Sequence, residues 1–291
     1  MKHLPKIKIK LDQKHEATLF LYFLNNPSYP QNKVKIFQTF PTLKSLLKKS
    51  SNQKKVIQKF INIFYRNHQK EIDKILQKSE IILKEKSPSA LKALSDIMDY
   101  KWPKQIIFYA IPTILPFSPF KNNTFYFSIL GQILNKNQKD VLYIALHEIS
   151  HFIFYHHLKK IELYHKIALN EDAKNYLKEA LTAVVLNQKL LRHILKIKNY
   201  RGNPELHNLR VRESNEKVYN LGDYLSEKYQ KNKTTEKRSF FVYLLEMVKT
   251  VKLIENEFSK KRTIWNKYGN QLSKNKSALL RYQKPIKIIK E

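Results

Sequence analysis

The chain has 291 residues, of which 42% are hydrophobic, enough to bury the core of one large domain or of two smaller ones. It contains no cysteine, which excludes disulfides, thiolate metal ligands and cysteine nucleophiles, so any bound transition metal must use histidine, aspartate or glutamate. The net charge of +31 comes from lysines spread over the whole length, which favours solvated charged faces over a dedicated nucleic-acid patch.

Residues 1–100 predict a helical N-terminal lobe. Apolar residues recur at helical spacing over residues 15–26, over residues 55–85, a stretch long enough for two helices, and over residues 89–100. Charged residues interrupt the basic N-terminus before a short apolar patch, and no small-residue cleavage site follows that patch. We therefore expect no secretory signal and a cytoplasmic location.

The composition changes between residues 101 and 131. Isoleucine, phenylalanine and tyrosine dominate KQIIFYAI (residues 104–111) and NTFYFSIL (residues 123–130), and prolines separate the two, so we predict two short strands. The most apolar run, residues 106–117, is too short to cross a bilayer as a helix and contains two prolines, which predicts no membrane span.

Helical spacing resumes at Asp140 and continues through residues 170–195, and it is found again over residues 215–229 and 239–258. A basic tail over residues 260–291 follows it. The sequence therefore predicts a mainly α chain with a small β-sheet, of the α+β class. We therefore divide the chain into the N-terminal lobe (residues 1–100), a core with a helical C-terminal part (residues 101–259) and the basic tail (residues 260–291).

The stretch VLYIALHEISHFIFYHH, residues 141–157, carries the pattern H-E-x-x-H inside an otherwise apolar helix. Positions four apart share one face of a helix, so His147 and His151 can bind the same ion. Neutral imidazole nitrogens are zinc ligands, and Glu148 would lie beside the open coordination position. There it can act as a general base on a metal-bound water. The alternative interpretation is a helix whose histidines are only hydrogen-bonded or exposed.

A catalytic zinc site needs a third protein ligand, and the sequence offers two candidates. His157 has the spacing of the pattern H-E-x-x-H-x-x-G-x-x-H, but Phe154 stands at the glycine position, so a continuous helix would direct His157 away. Glu179 lies among alanine, leucine and valine in the next apolar helix, although it could instead face solvent. We predict that His147, His151 and Glu179 hold one zinc ion per chain.

HEISH followed by a helix carrying KEALTA resembles the zincin metallopeptidases, in particular the gluzincin branch, over roughly residues 123–187. The resemblance implies a core with an active-site helix, a glutamate helix and an edge strand, here residues 123–130, that pairs with an extended substrate. Many gluzincins place an aspartate after the glutamate to orient a histidine, where this chain has Thr182 and Ala183. Asn175 and Thr182 are the candidates for that orienting role.

The resemblance also implies an oxyanion-stabilising residue downstream of Glu179. The sequence does not choose among four candidates, which are His193, His207, Tyr219 and Tyr224. We predict zinc-dependent hydrolysis of a peptide bond in a peptide or protein substrate, with Glu148 as the general base. The alternatives are a catalytically inactive zinc-binding protein and a basic helical nucleic-acid-binding protein. Nucleic acid is the less favoured partner because it rests on composition alone.

Overall fold

The structure is a computed structural model that describes residues 3–28, 30–134, 140–214 and 216–288. Helices make up 67% of it, beside two small sheets, which confirms the predicted mainly α class with little β structure. The chain forms two compact units. The first combines Met1–Ser89 with Trp102–Glu148, and the second combines Ala90–Lys101 with Ile149–Glu291.

The first unit contains most of the predicted N-terminal helices and one four-stranded sheet. Its elements in chain order are β1 (Lys6–Ile9), α1 (Gln13–Asn25), α2 (Pro30–Thr39), α3 (Pro41–Lys48), α4 (Gln53–Asn67), the beginning of α5 (Gln69–Ile97), β2 (Ile107–Thr113), β3 (Phe120–Lys121), β4 (Thr124–Ser128), α6 (Leu130–Ile133) and the beginning of α7 (Val141–His165). Side-chain caps explain where two of the helices begin, since Asp12 accepts from His15 N and Asn52 accepts from Lys55 N.

The predicted helical stretch over residues 55–85 is two helices, α4 and α5, as its length allowed. The predicted third helix at residues 89–100 is instead the end of α5, which continues through Pro88. Leu83 and Leu91, on either side of that proline, are both buried, so the apolar stripe of the helix continues across it. Burial of this stripe outweighs the helix-breaking tendency of a single proline.

The strand order of the sheet is β1-β2-β4-β3. Strands β1, β2 and β4 are parallel, whereas β3 is antiparallel to β4. Both strands predicted around residues 104–111 and 123–130 are present as β2 and β4. Strand β1 was not predicted, because four residues of alternating lysine and isoleucine are too short a period-two signal to distinguish from the helical lobe around them.

The prediction that residues 123–130 form an edge strand is wrong. Strand β4 pairs with β2 on one side, and on the other side β3 pairs with its first two residues. Beyond β3, Tyr126 N donates to Pro119 O at 2.8 Å, and Ser128 N donates to Ser118 Oγ at 3.3 Å. The preceding loop therefore folds back and satisfies the backbone donors that an edge strand would offer to a substrate.

The second unit contains the rest of α5 and α7, followed by further helices and a small sheet. Its further elements are α8 (Glu171–Leu186), α9 (Lys189–Leu195), β5 (Arg210–Arg212), β6 (Val218–Asn220), α10 (Leu221–Gln230), α11 (Phe240–Leu253), α12 (Glu255–Tyr268), α13 (Lys276–Gln283) and β7 (Ile286–Lys287). Strands β5 to β7 form the sheet in the order β6-β5-β7.

None of these three short strands was predicted. Strand β6 lies inside a stretch predicted to be helical, β5 lies between two such stretches, and β7 lies in the predicted basic tail. Each has only two or three residues, which is below the length at which a periodic pattern can be recognised. The segment after residue 259 contains the end of α12, then α13 and β7. Among the described residues, no helix is long and apolar enough to cross a membrane.

Candidate metal centre

Two helices of the second half of the chain, α7 and α8, carry the predicted site residues. Helix α7 runs without a break from Val141 to His165, and the buried Phe154 occupies the position where the longer zinc pattern has glycine. Helix α8 begins after Asn170, whose side chain accepts from Ala173 N. The cap at Asn170, together with the acidic residues in the first turn, accounts for the start of α8 at Glu171, as the sequence predicts.

The H-E-x-x-H residues form one cluster on α7. His147, Glu148 and His151 each offer one ligand atom, and these atoms all lie within 4.8 Å of one another. His147 Nε2 lies 3.7 Å from Glu148 Oε1. Glu148 and His151 are buried, and the His147 side chain is 19% exposed. This group could hold a metal ion, which is the expectation from the i, i+4 spacing of the two histidines.

Glu179 lies next to His151. Its Oε1 atom is 3.3 Å from His151 Nε2, and its side chain is 17% exposed, so it does not face solvent as an ordinary surface glutamate would. Helix α8 therefore brings a carboxylate oxygen to the imidazole nitrogen that a metal would use.

The hydroxyl of Thr182 lies beside the Nδ1 atom of His151. Its Oγ1 donates to the Lys178 carbonyl at 3.0 Å, one turn earlier in α8. A hydroxyl has one hydrogen, so Thr182 Oγ1 accepts from His151 Nδ1, which is 3.1 Å away. Ser150 Oγ also lies 2.9 Å from the threonine oxygen. Among the residues that sequence reasoning proposed for orienting a histidine, Thr182 makes the contact.

His151 is uncharged at neutral pH on physical grounds. Burial lowers the pKa of the imidazole most strongly, and the positive charge of Lys178 lowers it further, while Glu179 acts in the opposite direction. A neutral His151 with its proton on Nδ1 has a lone pair on Nε2. Nε2 lies 3.3 Å from Glu179 Oε1, within hydrogen-bonding distance, and a metal ion held by both atoms would replace this contact.

Lys178 is the residue that sequence reasoning missed. Its Nζ is 3.2 Å from Glu179 Oε1 and 3.5 Å from Asn175 Oδ1. Consecutive helix residues point in different directions, so the pair Lys178–Glu179 gave no signal of contact in the sequence. Asn175, the other candidate for orienting a histidine, thus contacts the lysine.

His157 is directed into the core of the second unit. Its Nε2 donates to Met98 O at 2.9 Å, and its ring lies 5.7 Å from the Phe240 ring, centroid to centroid. Burial lowers the pKa of His157 to about 4. The continuous course of α7 past Phe154 accounts for this orientation, because no glycine breaks the helix there.

Three of the four oxyanion candidates make contacts elsewhere, and the fourth, His193, is known by its position alone. His207 Nε2 donates to Arg201 O at 2.9 Å, and Tyr219 OH donates to Glu227 Oε1 at 3.2 Å. Tyr224 is buried, with Lys228 Nζ 5.1 Å from its ring centroid, and His193 lies in the last turn of α9. These contacts select none of the four for an oxyanion role.

Comparisons with known proteins add no assignment to this geometry. No protein-family model, no curated protein and no solved structure matches the chain.

Proposed function

We propose that the chain is a zinc-dependent hydrolase of peptide bonds, with Glu148 as the general base. The observation that carries the proposal is the cluster of His147, Glu148 and His151 on one helix, whose ligand atoms lie within 4.8 Å. The oxygen of Glu179, 3.3 Å from His151 Nε2, supports it as the third ligand. Three protein ligands and one open position are typical of catalytic rather than structural zinc sites.

Each residue has a separate role in this proposal. His147, His151 and Glu179 would hold the ion, and Thr182, by accepting a hydrogen bond from His151 Nδ1, would leave Nε2 as the ligand atom. Bound zinc supplies a Lewis acid that polarises a carbonyl and lowers the pKa of a coordinated water to about 7. Glu148 accepts the proton of the attacking water and returns it to the leaving amine. Its burial keeps the carboxylate away from bulk water, which would otherwise compete for that proton.

The peptide substrate follows from the resemblance of HEISH and KEALTA to the zincins. Pairing of an extended peptide with β4 is not part of the proposal, because β3 and the loop at Ser118 and Pro119 cover that side of the strand. The hydrolytic chemistry therefore rests on the α7 and α8 residues.

The test uses full-length protein purified without chelator, with bound zinc measured by atomic emission and hydrolysis measured on a peptide library. In Glu148→Gln, hydrolysis is expected to fall by about 10²–10⁴-fold while zinc stays near one ion per chain. In His151→Ala, zinc itself is expected to be lost. Glu162→Gln is the matched control, because Glu162 lies on the same helix and pairs with Lys174 at 3.3 Å.

Three results would contradict parts of the proposal. Loss of zinc in Glu148→Gln to the same extent as in His151→Ala would make Glu148 a ligand and not the base. Stoichiometric zinc without hydrolysis of any peptide would indicate an inactive zinc-binding protein. Wild-type protein that binds no zinc would leave the hydrogen-bonded helix as the interpretation, and salt-dependent binding to nucleic acid would then support the nucleic-acid alternative.

A further inference from the structure

Lys178 and Glu179 form a partly buried ion pair beside the imidazole of His151. The Lys178 side chain is 15% exposed and the Glu179 side chain 17%. Lys178 Nζ lies 3.2 Å from Glu179 Oε1, and His151 Nε2 lies 3.3 Å from the same oxygen. A cation therefore already contacts the oxygen that would bind the metal.

We propose that Lys178 is an internal counter-ion for Glu179 that a metal ion must displace, so that competition between Lys178 and the metal determines how readily the site loads. The inference rests on the proposed metal site. It adds a residue that the hydrolytic proposal does not use, and it concerns metal loading and not the chemical step.

Electrostatics gives the direction of the effect. A dication bound to Glu179 Oε1 would share that oxygen with the ammonium of Lys178, and two cations on one oxygen repel each other strongly at partly buried positions. If the lysine swings away instead, it loses its contacts with Glu179 and with Asn175 Oδ1, which is 3.5 Å from Nζ. In both cases metal binding is weaker than it would be without the lysine charge.

The contact between Lys178 and Glu179, which weakens metal binding, stabilises the metal-free protein. A carboxylate that is only 17% exposed is destabilised when no positive group is near it. When no metal is bound, Lys178 compensates the negative charge of Glu179. The second unit therefore does not need the metal to stabilise this carboxylate. Removal of Lys178 should therefore make folding more dependent on metal.

The test measures zinc affinity by competition with a chromophoric chelator, for wild type, Lys178→Met, Lys178→Gln and Lys178→Arg. Both neutral variants are expected to bind zinc at least about tenfold more tightly, whereas Lys178→Arg stays close to wild type because it keeps the charge. The matched control is Lys174→Met. Lys174 lies one turn earlier on α8, is 20% exposed and pairs with Glu162 and Glu171, so its loss removes the same charge without touching Glu179.

Thermal melts provide a second measurement that does not depend on activity. The melting temperature of metal-free Lys178→Met is expected to be lower than that of the wild type, and the rise on adding zinc is expected to be larger. Circular dichroism of each metal-free variant establishes that it is folded before its affinity is compared. If Lys178→Met is unfolded without metal, Lys178→Gln, which retains a hydrogen-bond donor, provides the affinity comparison.

The outcomes separate this inference from the proposed function. Zinc binding by the wild type with no gain in either neutral variant overturns the inference alone. Weaker binding in Lys178→Met with wild-type binding in Lys178→Gln would also overturn it, because Lys178 would then position Glu179 as a donor. An equal gain in Lys174→Met would show a general charge effect of α8. Absence of zinc binding in the wild type and in every variant overturns the metal site as well.

Discussion

Replacement of Thr182 by valine tests whether its hydroxyl orients His151. Thr182 Oγ1 lies 3.1 Å from His151 Nδ1, 2.9 Å from Ser150 Oγ and 3.0 Å from the Lys178 carbonyl, and valine keeps the shape of the side chain but removes all three contacts. The site is buried, so His151 Nδ1–H loses an acceptor in a place that water reaches poorly. The imidazole can then rotate or change tautomer, so that Nε2 no longer offers its lone pair on the side of Glu179.

The structure permits an estimate of both consequences. Loss of a hydrogen bond to a metal-binding histidine reduces metal affinity by about 10–100-fold, which corresponds to about 1.4–2.7 kcal/mol of binding free energy. A buried donor left without its acceptor reduces the free energy of unfolding by about 1–3 kcal/mol. For a unit of this size that lowers the melting temperature of the metal-free protein by roughly 2–12 °C.

Chelator competition measures the first quantity and a thermal melt of metal-free protein measures the second. Thr182→Ser is the control, because it keeps the hydroxyl and should retain most of the zinc affinity. If Thr182→Val is folded and binds zinc as tightly as the wild type, the hydroxyl does not orient His151, and the tautomer argument fails.

Two further predictions concern buried titratable side chains other than the proposed ligands. Lys261 is buried and donates to two backbone carbonyls at the end of α13, at 2.7 Å each. Lys261→Met should therefore lower the free energy of unfolding by about 2–4 kcal/mol, whereas Lys260→Met, at an exposed position, should have almost no effect. Equal melting temperatures for the two variants would contradict this prediction. Burial lowers the pKa of His157 from 6.5 to about 4. Between these two pH values the unfolded chain binds more protons than the folded chain. The free energy of unfolding therefore falls as the pH decreases through this range, by about 3 kcal/mol in all. Melting temperatures from pH 7 to pH 4 should therefore fall more steeply in the wild type than in His157→Phe, and parallel profiles would show that His157 does not titrate in this way.

Local periodicity accounts for what the sequence could predict. The helical positions of His147 and His151 follow from a turn of 3.6 residues, which is a property of the backbone and does not depend on the rest of the fold. The start of α8 follows in the same way from Asn170, whose side chain caps the helix within three residues. The continuous course of α7, and with it the orientation of His157, follows from the absence of glycine after His151.

Contacts between distant segments could not be read in this way. Strand β1 pairs with β2 about a hundred residues later, and a loop before β4 closes the side of the strand that was expected to bind a peptide. Strand pairing depends on which backbone groups are left without partners after the helices have packed, and four-residue patterns carry no information about that.

In the candidate metal centre, too, local features could be predicted from the sequence and contacts between helices could not. Which residue types could bind a metal, and which two share a helix face, was determined by the sequence alone, because ligand chemistry and helix geometry are local properties. Only the tertiary structure decided that Glu179 faces His151, that the Thr182 hydroxyl contacts His151 Nδ1, and that Lys178 contacts the same carboxylate. These three contacts depend on the rotation of α8 relative to the His151 end of α7, which the packing of the whole second unit determines and no short stretch of sequence encodes.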